Sequence, residues 1–166
     1  MQTDDLRHAY ADFVQAARQR PPGEPESGWN AELVLAHVIV GDRLIAEAAG
    51  RLMVGTPTTF DNLTSQSEPY LRAVADAAGD WDSLVAEVER AGAELIALAD
   101  SMTDQQAATL LPVKIVSNGA VVIDATVPLS SLVRAPVDSH LRMHQQQLAG
   151  LAGARANAHV GQSAAG

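Results

Sequence analysis

Apolar residues along most of the chain recur at intervals of three and four, the spacing of helices that bury one face. Leu6, Tyr10, Phe13, Val14 and Ala17 make the first such run. Thr3 precedes it as an N-cap, and Pro21, Pro22, Gly23 and Pro25 stop it after about Gln19. A second run opens behind Asn30, a capping residue, with the apolar Trp29 just before it. It extends to about Met53 and ends near Gly55 and Pro57. Its middle, Leu33-Val34-Leu35-Ala36-His37-Val38-Ile39-Val40, is apolar nearly all round and belongs deep in a bundle.

Residues 55–66 are rich in Thr, Asp and Asn and read as a loop. Helical spacing resumes near Ser67, with Pro69 tolerated in the first turn. Gly79-Asp80 can break and recap it ahead of Leu84, Val85, Val88, Leu95, Ile96 and Leu98, so residues 67–100 fit one helix or two. The period then changes. Val113–Ser117 and Ala120–Val127 are strand-like, and Asn118-Gly119 between them is a strong hairpin signal. A lone two-stranded ribbon is marginal, so this one must lean on the helices.

The last periodic stretch begins near Pro128 and runs to about Leu151 through Leu129, Leu132, Val133, Val137, His140, Leu141, His144 and Leu148. Pro136 either kinks it or marks its true start. Residues 153–166, small and polar with little to bury, are expected to form a flexible tail. No repeat or linker divides the rest. The predicted architecture is a mainly α, four-helix bundle over residues 1–152, with a small β-hairpin before the last helix.

Composition agrees with packed helices. Of 166 residues, 47% are hydrophobic, only 4% are aromatic, and the core is supplied by Leu, Val, Ile and Ala. A net charge of −9 repels phosphate backbones and anionic lipid, so neither nucleic acid nor a membrane is an expected partner. No apolar run is long enough to span a bilayer, and the acidic start Met1-Gln2-Thr3-Asp4-Asp5 is unlike a signal peptide. The chain reads as cytoplasmic. It has no cysteine, which removes disulfides, thiolate ligands and a cysteine nucleophile. Any thiol must come from outside, and any metal site must use histidine, carboxylate, carbonyl or water.

The histidines supply such a site. His140 and His144 lie four apart, about one helical turn, and therefore leave one face at adjacent levels. His37 sits within the other most apolar helix, where an imidazole without partners is costly. If the two helices pack together, His37, His140 and His144 can share one divalent ion. The alternative is a chance pair and a hydrogen-bonded core histidine. His8 reads as a surface or packing residue and His159 belongs to the tail. Leu141 stands where a zinc protease needs its glutamate, which disfavours protease chemistry. Asp42, Asp138 and Gln147 are near enough in sequence to accept the second ring N–H of a ligand, with ordinary surface carboxylates as the commoner reading, and Asp124 either faces the site from its strand or, more commonly, pairs with Lys114 or caps a turn.

The segments Trp29-Asn30-Ala31-Glu32-Leu33-Val34-Leu35-Ala36-His37-Val38 and His140-Leu141-Arg142-Met143-His144-Gln145-Gln146-Gln147-Leu148, with the hairpin ahead of the last helix, resemble the DinB/YfiT-like superfamily of metal-binding four-helix bundles. Within it the chain is similar to the actinobacterial branch related to mycothiol-dependent maleylpyruvate isomerase. The resemblance implies a divalent metal on His37, His140 and His144, zinc or nickel by ligand type, with an open position. It implies a low-molecular-weight thiol such as mycothiol as co-substrate and an electrophile as the second small-molecule partner, in S-transferase or isomerase chemistry, and a homodimer. That branch usually has glutamate at the position of His140 and a further C-terminal domain; the all-histidine set is closer to the general DinB pattern. The competing readings are a non-catalytic metal-binding or structural bundle and a metal-dependent hydrolase.

Overall fold

The computed structural model describes residues 3–19 and 28–162; beyond Leu151 it describes the backbone alone. The protein is a mainly helical bundle with a small sheet against one end. Helix α1 spans Asp4–Arg18, α2 Ala31–Met53, α3 Glu68–Ala78, α4 Trp81–Ser101 and the short α5 Asp104–Ala107. A long final helix is divided by a wide turn into α6, Leu129–Ala135, and α7, Leu141–Gln162. The four long elements α1, α2, α4 and α6–α7 form the bundle, and α3 lies across α2 and α4.

The caps explain the starts. Asn30 accepts a hydrogen bond from the Leu33 amide and Asp80 from the Ser83 amide. Gly79, at φ +87°, takes a backbone conformation open to glycine, so residues 67–100 form two helices and not one. Thr3 occupies the predicted N-cap position of α1 without capping it. Its hydroxyl is spent on the Asp100 carboxylate, which also pairs with Arg7. The apolar faces meet in a core that includes Phe13, Leu35, Ile39, Leu84, Leu95 and Leu129, all essentially excluded from water. Each such side chain stabilises the fold by about 1.5–3 kcal/mol relative to exposure.

The hairpin pairs β2 (Leu110–Ser117) with β3 (Ala120–Pro128), antiparallel. Asn118 and Gly119 both have positive φ, +50° and +77°, as a tight two-residue turn requires. The expected loop at 55–66 hides a third strand. Phe60–Asp61 (β1) runs parallel to β2, with Phe60 opposite Val113. Two residues are too few for a readable alternation. Phe60, Leu111 and Val113 join the helical core and hold the sheet to the bundle.

Pro136 proves to be neither a simple kink nor the helix start. It opens a π-helical turn, Pro136–His140, in which the Leu141 N–H bonds to the Pro136 carbonyl five residues back. The helix then runs to Gln162, beyond the predicted end near Leu151. The last four residues of the expected tail, 163–166, lie outside the described residues, as does the proline-rich stop of α1.

Candidate metal centre

The fold brings His37, His140 and His144 together, the outcome expected if α2 packs against the last helix. His37 leaves the middle of α2, His140 closes the π-turn, and His144 lies one turn into α7. Ring centroids are 5.0 Å apart for His37–His140, 4.7 Å for His37–His144 and 4.6 Å for His140–His144. One nitrogen from each lies within 4.8 Å of the other two. Ligand–zinc bonds of about 2.0–2.1 Å put two nitrogens at most about 4 Å apart on one ion, so the cluster has the right scale.

Hydrogen bonds decide which nitrogens face inward. His37 Nδ1 is 2.6 Å from the Ser65 carbonyl oxygen. A carbonyl only accepts, so Nδ1 carries the hydrogen and Nε2 the lone pair. His144 Nδ1 donates in the same way to Gln147 Oε1 at 3.0 Å, again leaving Nε2 as the acceptor. His37 Nε2 in turn sits 2.8 Å from His140 Nε2. His144 Nε2 is buried with no hydrogen-bond partner. An orphaned acceptor beside two more imidazole nitrogens fits a cation, and the all-nitrogen donor set fits a borderline divalent ion such as zinc or nickel.

The protonation states fit too. Burial, with the neighbouring His144, pushes His37 down to about 4. Burial and both neighbours push His140 down to about 3. Burial also lowers His144, against the bond to Gln147. All three are therefore neutral near pH 7, the form that binds metal.

Neighbouring segments hold this arrangement. The Asn62 side chain pairs with the Val116 peptide, donating to its carbonyl at 3.0 Å and accepting from its N–H at 2.7 Å. This occurs at the irregularity in β2 between Ile115 and Val116. Ser65 Oγ donates to the Asn62 carbonyl at 2.9 Å, and Ser65 offers its own carbonyl to His37. The small sheet is thus tied to the His37 ring through two residues. Trp29 does more than precede a cap: its ring packs 5.0 Å from that of His37.

Of the residues considered as orienting groups, Gln147 takes the role. Asp138 is exposed and paired with Arg134. Asp124 is exposed and stands opposite Lys114 in the strand register. Asp42 is fully buried, but it faces Tyr10 and neither polar group completes a direct hydrogen bond. Ser65 and Asn62 were not legible as site residues, because a backbone carbonyl and a strand clamp leave no chemical signature in sequence. His8 is exposed, the first of its two readings, and the His159 side chain lies outside the described residues.

The three rings form the floor of a pocket of about 390 Å³, walled by Trp29, Ile115, Val116 and Met143 and by several amides. That volume falls in the range of small-molecule sites. A helical bundle with a three-histidine centre open to such a pocket defines the class. No protein-family model matches the chain, and no curated protein matches it. Among solved structures it is similar in fold to the crystal structure of the mycothiol-dependent maleylpyruvate isomerase, with a TM-score of 0.65 and 15% sequence identity over 87% of this chain. The chain spans 57% of the length of that protein. No described helix is long and apolar enough to cross a membrane.

Proposed function

We propose that the chain is a DinB-like, divalent-metal protein that activates a small thiol, of the mycothiol type, for transfer to or isomerisation of an electrophile. The observation that carries this reading is the convergence of three neutral imidazoles on the floor of a pocket. A structural zinc would be closed in by a fourth protein ligand, whereas three ligands and an adjoining cavity suit a catalytic ion. The likeness in fold to a mycothiol-dependent enzyme supports the thiol as co-substrate.

A divalent ion bound there supplies Lewis acidity and lowers the pKa of a thiol at its open position. The protein's own residues do the rest. His37, His140 and His144 would hold the ion, and Ser65 and Gln147 fix two rings with Nε2 inward. Trp29, Met143 and Ile115 give one side of the pocket an apolar wall. In an addition, the S–C bond forms, the C=C π pair moves to the next carbon, and the proton released by the thiol ends on that carbon. No oxidant or reductant is required. The absence of cysteine makes an external thiol necessary for such chemistry, and a cytoplasmic setting would supply one.

The test is metal analysis of the purified protein, followed by a scan of thiols with a generic electrophile. We expect one zinc or nickel per chain and thiol consumption that is lost in His140→Ala. Metal retention with no thiol reacting or binding would favour a non-catalytic bundle.

A further inference from the structure

The pocket above the histidines carries a constraint on what fills it. Among the described residues, none that lines it is an Arg, Lys, Asp or Glu. Its polar groups are amides and a hydroxyl. Asn62 commits both amide atoms to Val116, and Gln147 commits Oε1 to His144. Uncommitted are the amides of Gln66 and Asn118, the Ser117 hydroxyl and the Gln147 NH₂.

Nor is a described cation at hand. Seven of the eight arginines whose side chains are described are paired with carboxylates. The eighth, Arg142, donates to the Asp138 carbonyl. Lys114 neighbours Ile115 in β2 and so leaves the opposite face of the sheet. The chain's net charge of −9 adds a repulsive field for anions. A bound ion can neutralise one anionic group at the pocket floor. A second carboxylate further out would lose water and gain only neutral amides, which is unfavourable.

We infer that the part of the substrate that fills this pocket beyond the metal is uncharged: a mixed apolar and hydrogen-bonding electrophile, with dicarboxylates selected against. This rests on the metal-and-thiol reading above for the reaction, while the charge preference is measured separately. It also separates this chain from the isomerase of similar fold, whose named substrate, maleylpyruvate, is a dicarboxylate.

The experiment compares monomethyl succinate with succinate, by calorimetric titration of the zinc-loaded protein above pH 7. Both probes offer one carboxylate to the ion and differ at the far end, where the monoester has a neutral methyl ester and succinate a second carboxylate. The monoester should bind at least about tenfold more tightly. Gln66→Arg, which adds a cation to the wall without touching a histidine, should cancel or reverse that ratio with zinc content unchanged. Equal affinities in the wild type, undetectable ones included, or tighter binding of succinate would overturn the inference. A parallel titration of cobalt-loaded protein with N-acetylcysteine reads the other proposal. If no sulfur-to-metal absorption appears, the thiol reading fails, while the charge comparison still stands or falls on its own affinities.

Discussion

His37 Nε2 and His140 Nε2 lie 2.8 Å apart although 103 residues separate them in the chain. Two neutral imidazoles that each present a lone pair repel at this distance unless a proton or cation lies between them. With His144 Nε2 beside them and unpartnered, an ion would join α2 to α7. Metal binding is therefore expected to add to folding stability. At free zinc about 1,000-fold above its Kd, linkage gives about 4 kcal/mol, which for a chain of this size is roughly 10 °C in Tm. Differential scanning calorimetry with and without chelator measures it. His37→Ala should abolish the increment; an increment that survives in this variant would place the ion elsewhere.

Gln147 contributes one acceptor, to His144 Nδ1. Removing it frees the ring to turn and leaves the tautomer unspecified. Gln147→Leu should weaken zinc binding by about 10–100-fold, the usual effect of losing a group that orients a ligand. Gln147→Glu keeps an acceptor and should restore most of the affinity. Competition titration against a chromophoric chelator distinguishes the two variants, and equal losses would mean that the side chain matters only for packing.

The helical skeleton and the shared face of His140 and His144 were legible because both follow from local rules, while the approach of His37 to them was an expectation conditional on helix packing and supported by the family resemblance. The i, i+4 spacing of His140 and His144 sets their face whatever the tertiary structure, and the apolar surroundings of His37 force it inward. What was not legible depends on contacts distant in sequence. β1 exists only because Phe60 meets Val113 across the core. Ser65 acts through its backbone, so its side-chain identity gives no hint. The turn at Pro136 is π-helical because the Leu141 N–H reaches the carbonyl five residues back, an outcome that a proline in a helical pattern does not announce.

Gly92, on α4, faces the Tyr10 ring so closely that a Cβ would lie 2.5 Å from Cδ1 and 2.9 Å from Cγ. Cγ does not move when the ring turns about the Cβ–Cγ bond, so a ring flip alone cannot clear the clash. Gly92→Ala gains about 1 kcal/mol of helix propensity but forces α1 from α4, at a cost of about 1–3 kcal/mol or more for overpacking. The variant should be destabilised on balance, with a lower urea midpoint. Gly92→Ala combined with Tyr10→Leu should recover part of the loss, because the clash is then relieved. A stabilised single variant would show that the two helices do not approach as described.

Asp42 gives the fold an unusual dependence on pH. Burial pushes its carboxyl from 3.8 up to about 7, with the facing Tyr10 hydroxyl as a partial offset. The folded state thus keeps a proton that the unfolded chain releases above pH 3.8. This stability is fully present below that value and is lost as pH rises to about 7, a change of about three units or roughly 4 kcal/mol. The metal-free histidines act in the opposite sense. Burial first, then their neighbours, depress His37 and His140 to about 4 and about 3, so their contribution is present above 6.5 and lost as pH falls. Asp42→Asn removes the first effect and keeps the shape. The metal-free variant should therefore exceed the wild type in stability above pH 7, by up to about 4 kcal/mol, and lose that advantage toward pH 4. Urea unfolding of both metal-free proteins between pH 4 and 9 measures the difference. A variant that is less stable than the wild type at pH 8 would mean that the ionised carboxylate is stabilised by a partner and that Asp42 titrates low.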